Sequence, residues 1–392
     1  MQIDTAATRH TLTQPHSNQS TALFQENSMR KGFVSFLLIG FLGLAPSVAF
    51  PQAAADLKKP NISNINGRKV TRFNVSGEFV WCGAENIAIS GGYGGVRLLN
   101  IDSGKILQLA AEKSYRGVAC TPDGKQVFFL DNASTGKLGV IDVVSGKQDT
   151  IYSKNIFSHL PIGERPISPS GTHLLVPSKL NVPVQVSGKK LEFVPVPRIL
   201  GDEEIDDVAW IGSQELYLLF GRSNPQRLLA TSNQTKKNIE IKLPIVKGYQ
   251  FRKIAWADEK RQLYLLAWPE SEESVPRLYI FYPDLPTKPI RLIASNVVDF
   301  DLLPNGIAAY VQTEGVNFSI PDKAIINKSA RRILVYRGSD GKKEELISVP
   351  YLSEGISHVH FSPLHNAIAF SWRDINGGSG STSSVAILHI TR

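Results

Sequence analysis

Gly117-Val118-Ala119-Cys120-Thr121-Pro122-Asp123-Gly124-Lys125-Gln126-Val127-Phe128-Phe129-Leu130-Asp131, followed by Leu138-Gly139-Val140-Ile141-Asp142-Val143-Val144-Ser145-Gly146-Lys147-Gln148-Asp149-Thr150-Ile151-Tyr152-Ser153, is the stretch that decides the fold. An apolar run stops at a tight turn, a second apolar run follows, and two more short runs flank Ser145-Gly146. Pro122 presets φ, Asp123 can bond the backbone beside it, and Gly124 supplies a positive φ, so the chain reverses there. Four strands in a row, with no helical period, make one antiparallel sheet.

The unit recurs. Its inner pair reappears at Phe79-Val80-Trp81-Cys82, Glu164-Arg165-Pro166-Ile167, Asp207-Val208-Ala209-Trp210, Lys253-Ile254-Ala255-Trp256, Asp299-Phe300-Asp301-Leu302 and His358-Val359-His360-Phe361, each followed by a turn and an apolar run. With the second residue of each as marker, the steps are 38, 47, 43, 46, 46 and 59 residues, the last carrying an insertion around Glu314–Ser329. A period of about 40 to 50 residues is that of a four-stranded propeller blade. The expectation is an all-β single β-propeller of seven four-stranded blades. The last copy has runs at Ser357–Ser362, Ala367–Trp372 and Ser384–Ile390 and lacks one strand. Lys69–Val75 alternates as a strand should and is expected to complete that sheet.

Ahead of the repeats, Met29-Arg30-Lys31 precedes the apolar run Phe33–Ala45 and then Pro46-Ser47-Val48-Ala49. A positive segment, a short apolar segment and small residues make an export signal cleaved near Ala49, and the run is too short for a membrane span. Residues 1–28 read as an extension from an early start codon, 29–49 as the signal peptide, 50–68 as a linker and 69–392 as the propeller. A periplasmic or secreted protein with no transmembrane span in its mature chain is expected. The 43 basic and 35 acidic residues are scattered along the chain, which argues against nucleic acid as a partner.

Thr121-Pro122-Asp123-Gly124, Ser168-Pro169-Ser170-Gly171 and Phe361-Ser362-Pro363 resemble the S-P-D-G turn of the TolB-type, WD40-like propeller repeat, and the resemblance spans most of residues 79–390. It implies the fold and leaves the role open. TolB carries an α/β domain before its propeller, and the short stretch between signal and first strand here departs from that plan.

Linear motifs of chemistry are missing. The stretch Gly377–Ser381 does not complete a nucleophile elbow, and no H-E-x-x-H or paired C-x-x-C occurs. His358 and His360 lie two apart on one strand with His365 in the next turn, an incomplete metal set. No catalytic residue, metal or cofactor is therefore expected. Cys82 and Cys120 share a column of adjacent inner strands. An oxidising compartment would favour a bridge, whereas equivalent side chains in a propeller point in the same rotational sense, so the column argues against one.

Three residues before that column, at one channel mouth, stand Phe79, Gly117, Glu164, Asp207, Lys253, Asp299 and His358. Arg116, Arg165, Asp206, Arg252 and the run Asp202-Glu203-Glu204 adjoin them. Wet strand ends explain such charges, and so does a binding site made of Glu164, Asp207, Lys253, Asp299 and His358. The leading expectation is an exported, non-catalytic recognition module binding a protein or peptide partner through one face. The alternative is a propeller-type lyase, lactonase or hydrolase that collects one residue per blade, and a third is a structural subunit of an envelope complex.

Overall fold

The computed structural model describes residues 60–91, 94–110, 115–131, 137–152, 166–176, 184–187, 190–193, 205–212, 215–220, 226–232, 234–271, 275–317, 325–375 and 382–390. The proposed signal peptide and N-terminal extension lie outside these residues. Among the described residues no helix is long and apolar enough to cross a membrane.

Antiparallel sheets follow one another along the chain. Blade A is β3–β6 (Glu78–Cys82, Asn86–Ser90, Val96–Asn100, Ile106–Ala110) and blade B is β7–β10 (Tyr115–Cys120, Gln126–Asp131, Leu138–Asp142, Gln148–Tyr152). After a three-stranded sheet, β11–β13 (His173–Val176, Val184–Ser187, Lys190–Phe193), comes blade C, β14–β17 (Ile205–Trp210, Glu215–Phe220, Arg227–Ser232, Lys237–Ile241). Blade D is β18–β21 (Tyr249–Ala257, Gln262–Pro269, Arg277–Phe281, Arg291–Ser295) and blade E is β22–β25 (Val297–Leu302, Ala308–Asn317, Ile325–Arg337, Lys343–Pro350). Blade F joins both ends of the chain in the order β1-β2-β28-β27-β26, with β1 Asn61–Ile65, β2 Arg68–Phe73, β26 Glu354–Phe361, β27 Ala367–Asp374 and β28 Thr382–His389.

The expected seven four-stranded blades are corrected to six. The copy at Glu164–Val176 does not build a fourth strand among the described residues: its inner segment forms only the isolated bridge Ile167↔Leu174. Pro166 has no N–H to give to a ladder, and the described part of the segment is held by Leu175 N donating to Pro166 O (2.7 Å) and Ser168 N donating to His173 O (2.8 Å). At the other extreme, β2 pairs with β28 as the outer strand that the last copy lacks, and β1, read from the sequence as linker, adds a fifth strand. The insertion after blade E's second strand lengthens β23 and β24 into a hairpin paired out to Asn317↔Ile325.

The core lies between sheets. Phe79, Trp81 and Ile89 of blade A pack with Phe73, Ala369 and Ile387 of blade F across the F–A seam, and Leu266, Ile280 and Tyr310 meet across D–E. Leu174 packs with blade B and Leu175 with blade C, so the three-stranded sheet also has both flanks covered. Fully burying a side chain of this size contributes about 1.5–3 kcal/mol, and a sheet removed from the ring would expose both faces at once.

The turns repeat one device. The hydroxyl of the first turn residue accepts the N–H five residues on: Gln126 N to Thr121 Oγ1 (3.0 Å), His173 N to Ser168 Oγ (3.1 Å) and Ala367 N to Ser362 Oγ (3.1 Å). Serine or threonine before the proline thus ends one strand and starts the next.

Candidate functional site

The innermost strands are sheet edges, and edge strands carry N–H groups that no neighbour in their own sheet can accept. A β-bulge recurs in five of them. One extra residue stands between Tyr115 and Val118, Ile205 and Asp207, Phe251 and Lys253, Val297 and Asp299, and Ser357 and His360. Gly117 (φ 138°) and His358 (φ 52°) sit within two of the bulges at positive φ. Bulges re-aim the side chains beside them, and here they turn the residue after the bulge toward the next sheet.

The consequence is a set of carboxylate staples. Asp207 Oδ1 accepts Val208 N (2.8 Å) in its own strand, while Oδ2 accepts Ile254 N (2.7 Å) of blade D. Asp299 repeats this two blades on, with Oδ1 accepting Phe300 N (2.8 Å) and Oδ2 accepting Val359 N (2.9 Å) of blade F. Lys253, at the same position of the blade between them, donates from Nζ to Asp299 Oδ1 (2.6 Å). Asp301 Oδ2 accepts Phe361 N (2.7 Å). Burial pushes the Asp207 carboxyl up to about 7, against its two backbone donors and Lys253. Burial also raises Asp299, but the Lys253 charge and hydrogen bond, with Val359 N and His360, overcome it and hold the carboxyl below its usual range.

Of the five residues expected at the mouth, Asp207, Lys253 and Asp299 are brought together in this chain of staples. His358 is exposed at its bulge and bonds Ser357 Oγ through Nδ1 (3.1 Å). Glu164 lies outside the described residues, as do Arg165 and the run 202–204. Asp206 and Arg252 form an exposed ion pair (3.1 Å). Among the described residues no three His, Cys, Asp or Glu side chains group as a metal site. The bulge also separates the histidines expected on one side: His358 faces solvent, whereas His360 packs edge-on against Phe79 with ring centroids 5.4 Å apart.

A cavity of about 600 Å³ opens at the turn end of the channel, where the turns rather than the strand starts form the rim. Each of the six blades contributes to its wall, through Trp81, Cys120, Trp210, Trp256, Leu302 and Phe361, and Ile167 joins them from the segment before the three-stranded sheet. Pro122, Pro169, Pro304 and Pro363 edge the rim, and Asp207, Lys253, Asp301 and His360 lie among the strands lining it. Trp256 Nε1 donates to Asp258 Oδ1 (3.0 Å) and Trp81 Nε1 to His360 O (3.0 Å), so both indoles are fixed.

Trp81 in that wall exposes a one-residue slip in the sequence alignment of blade A. By strand register, Trp81↔Ile87 corresponds to Trp210↔Leu216 and Cys120↔Val127, so Trp81 and not Cys82 is the counterpart of Cys120. A one-residue shift turns a side chain to the opposite face. Cys82 and Cys120 therefore face each other across the A–B seam and form a disulfide, Cα–Cα 5.2 Å, correcting the geometric argument against it. The close approach needs glycine: a Cβ on Gly124 (φ 73°) would stand 3.1 Å from Cys82 O and Gly83 Cα. The same slip replaces Phe79 by Glu78 in the charged column. Glu78 lies next to His358 around the ring: burial raises its carboxyl and the His358 charge lowers it. Strand register was the missing signal.

No protein-family model and no curated protein matches the chain. Among solved structures, an oligogalacturonate lyase from Vibrio parahaemolyticus aligns over 87% of this chain and 99% of its own, with 12% identity and a TM-score of 0.59. The Myceliophteria thermophila Cps50 (Swd1) β-propeller domain aligns over 81% of this chain and 99% of its own, with 12% identity and a TM-score of 0.51. TolB from Acinetobacter baumannii aligns over 74% of this chain and 65% of its own, at 14% identity and a TM-score of 0.44. At these identities the likeness is one of fold: the chain is a β-propeller, with enzymes and non-enzymes among its structural neighbours.

Proposed function

We propose that the chain is an exported, non-catalytic recognition protein that seats a segment of a protein or peptide partner in the turn-lined mouth of its channel. The supporting observation is the cavity itself: about 600 Å³, walled by one large apolar or sulfur side chain from each of the six blades, with the Trp81 and Trp256 indoles held by hydrogen bonds. Concave, apolar and pre-formed sites of that size seat side chains of a partner. The carboxylates that an enzyme would need nearby already hold neighbouring strands together. Export has two supports, the Met29–Ala49 pattern and the Cys82–Cys120 bridge, which belongs to an oxidising compartment. The test is affinity capture from an envelope extract with the native chain and with Trp210→Ala and Trp256→Ala. A partner recovered by the native chain and lost with both variants is expected; undiminished recovery with folded variants overturns the reading.

One observation favours a propeller-type enzyme instead. Asp207 lies in the cavity wall with its carboxyl near 7, in the range of a general acid or base. A turnover that disappears in Asp207→Asn while the fold persists would select this reading.

A further inference from the structure

The cavity wall combines three indoles and a phenyl ring with an excess of carboxylates. Asp207, Asp258 and Asp301 line it, against Lys253, whose ammonium is already taken by Asp299 at 2.6 Å. Aromatic faces attract cations through their quadrupole, and a carboxylate beside them adds a full charge. We infer that the cavity takes the ammonium end of a lysine side chain from the partner, its methylenes lying along Trp210, Trp256 and Phe361 and its charge near Asp258 and Asp301. This rests on the recognition reading and gives it a chemistry. Asp258 is the accessible member: it is exposed at the rim, in the 3-10 turn Asp258–Lys260, while Asp301 is buried and bonded to Phe361 N.

The experiment titrates the full chain with N-acetyl-lysinamide and with N-acetyl-norleucinamide, which has the same apolar stem without the charge, followed by calorimetry and tryptophan fluorescence. The lysine compound is expected to bind roughly 2- to 30-fold more tightly than the norleucine compound. Asp258→Asn keeps an oxygen for Trp256 Nε1 and removes the charge, so it is expected to shrink that preference by roughly 2- to 5-fold with an unchanged tryptophan spectrum. Equal binding of the two compounds overturns this inference and leaves partner recognition standing. Binding of both that is untouched by Trp210→Ala and Trp256→Ala overturns the inference and the recognition reading together.

Discussion

Asp207 and Asp299 hold the same position two blades apart, accept equivalent pairs of backbone donors and are both buried, yet burial wins at one and loses at the other. The difference is Lys253. Its ammonium bonds Asp299 directly, whereas at Asp207 it acts only through the field, and Asp206 beside Asp207 opposes it. Two identical staples thus differ in charge state because of a residue on the strand between them. A cation in direct contact keeps the buried Asp299 carboxyl ionised, whereas at Asp207 two backbone donors and a more distant cation do not overcome burial.

The largest expected effect comes from Asp299→Ala, which takes from the Lys253 ammonium its 2.6 Å carboxylate and from the Phe300 and Val359 N–H groups their acceptor in a buried seam. A loss of about 3–5 kcal/mol is expected in denaturant unfolding, and a loss under 1 kcal/mol would refute the staple. Lys253→Met should cost less, about 1–3 kcal/mol, because the strand bonds survive. It should also raise both carboxyls, which carbon-13 NMR titration would read as two upward shifts.

Asp207→Asn separates the two staples by pH. Its folded carboxyl stands near 7 against an ordinary 3.8, so the native state binds a proton that the unfolded chain has released between those values. Stability from this group is therefore full below about 3.8 and declines as pH rises toward 7, by on the order of 1–4 kcal/mol. Asp299 has the opposite sign, contributing above the ordinary carboxylate range and losing that contribution as pH falls through its lowered value. The asparagine variant should flatten only the decline between about 4 and 7, as read by melting temperature against pH. The smallest effect is expected from Asp206→Asn, which breaks the exposed pair with Arg252: under about 0.5 kcal/mol in stability, with a small downward shift of the Asp207 titration.

The fold was legible because burial imposes a period. Each unit must hide both faces, so apolar runs, turn residues and spacing repeat along the chain, and Thr121, Ser168 and Ser362 mark the turns by the same hydroxyl bond. The charged column was legible as a pattern and was assigned to a wet mouth, whereas Asp207 and Asp299 are buried between strands. Nothing in a linear pattern distinguishes a carboxylate facing water from one facing the next strand's N–H. The aromatic column Trp210, Trp256 and Phe361 was likewise visible as inter-blade core, and that it also walls a cavity depends on the ring's radius at that level.

Taken alone, the sequence determined an all-β, repeating, propeller-type chain, because strand period and turn chemistry are local properties of neighbouring residues. The tertiary structure decided how many repeats become full blades, which residue of blade A is in register with its neighbours, and that Cys82 meets Cys120. Those outcomes depend on proline's missing donor, on a one-residue choice of face and on bulges that aim side chains across seams, and each is settled only when one strand lies beside another.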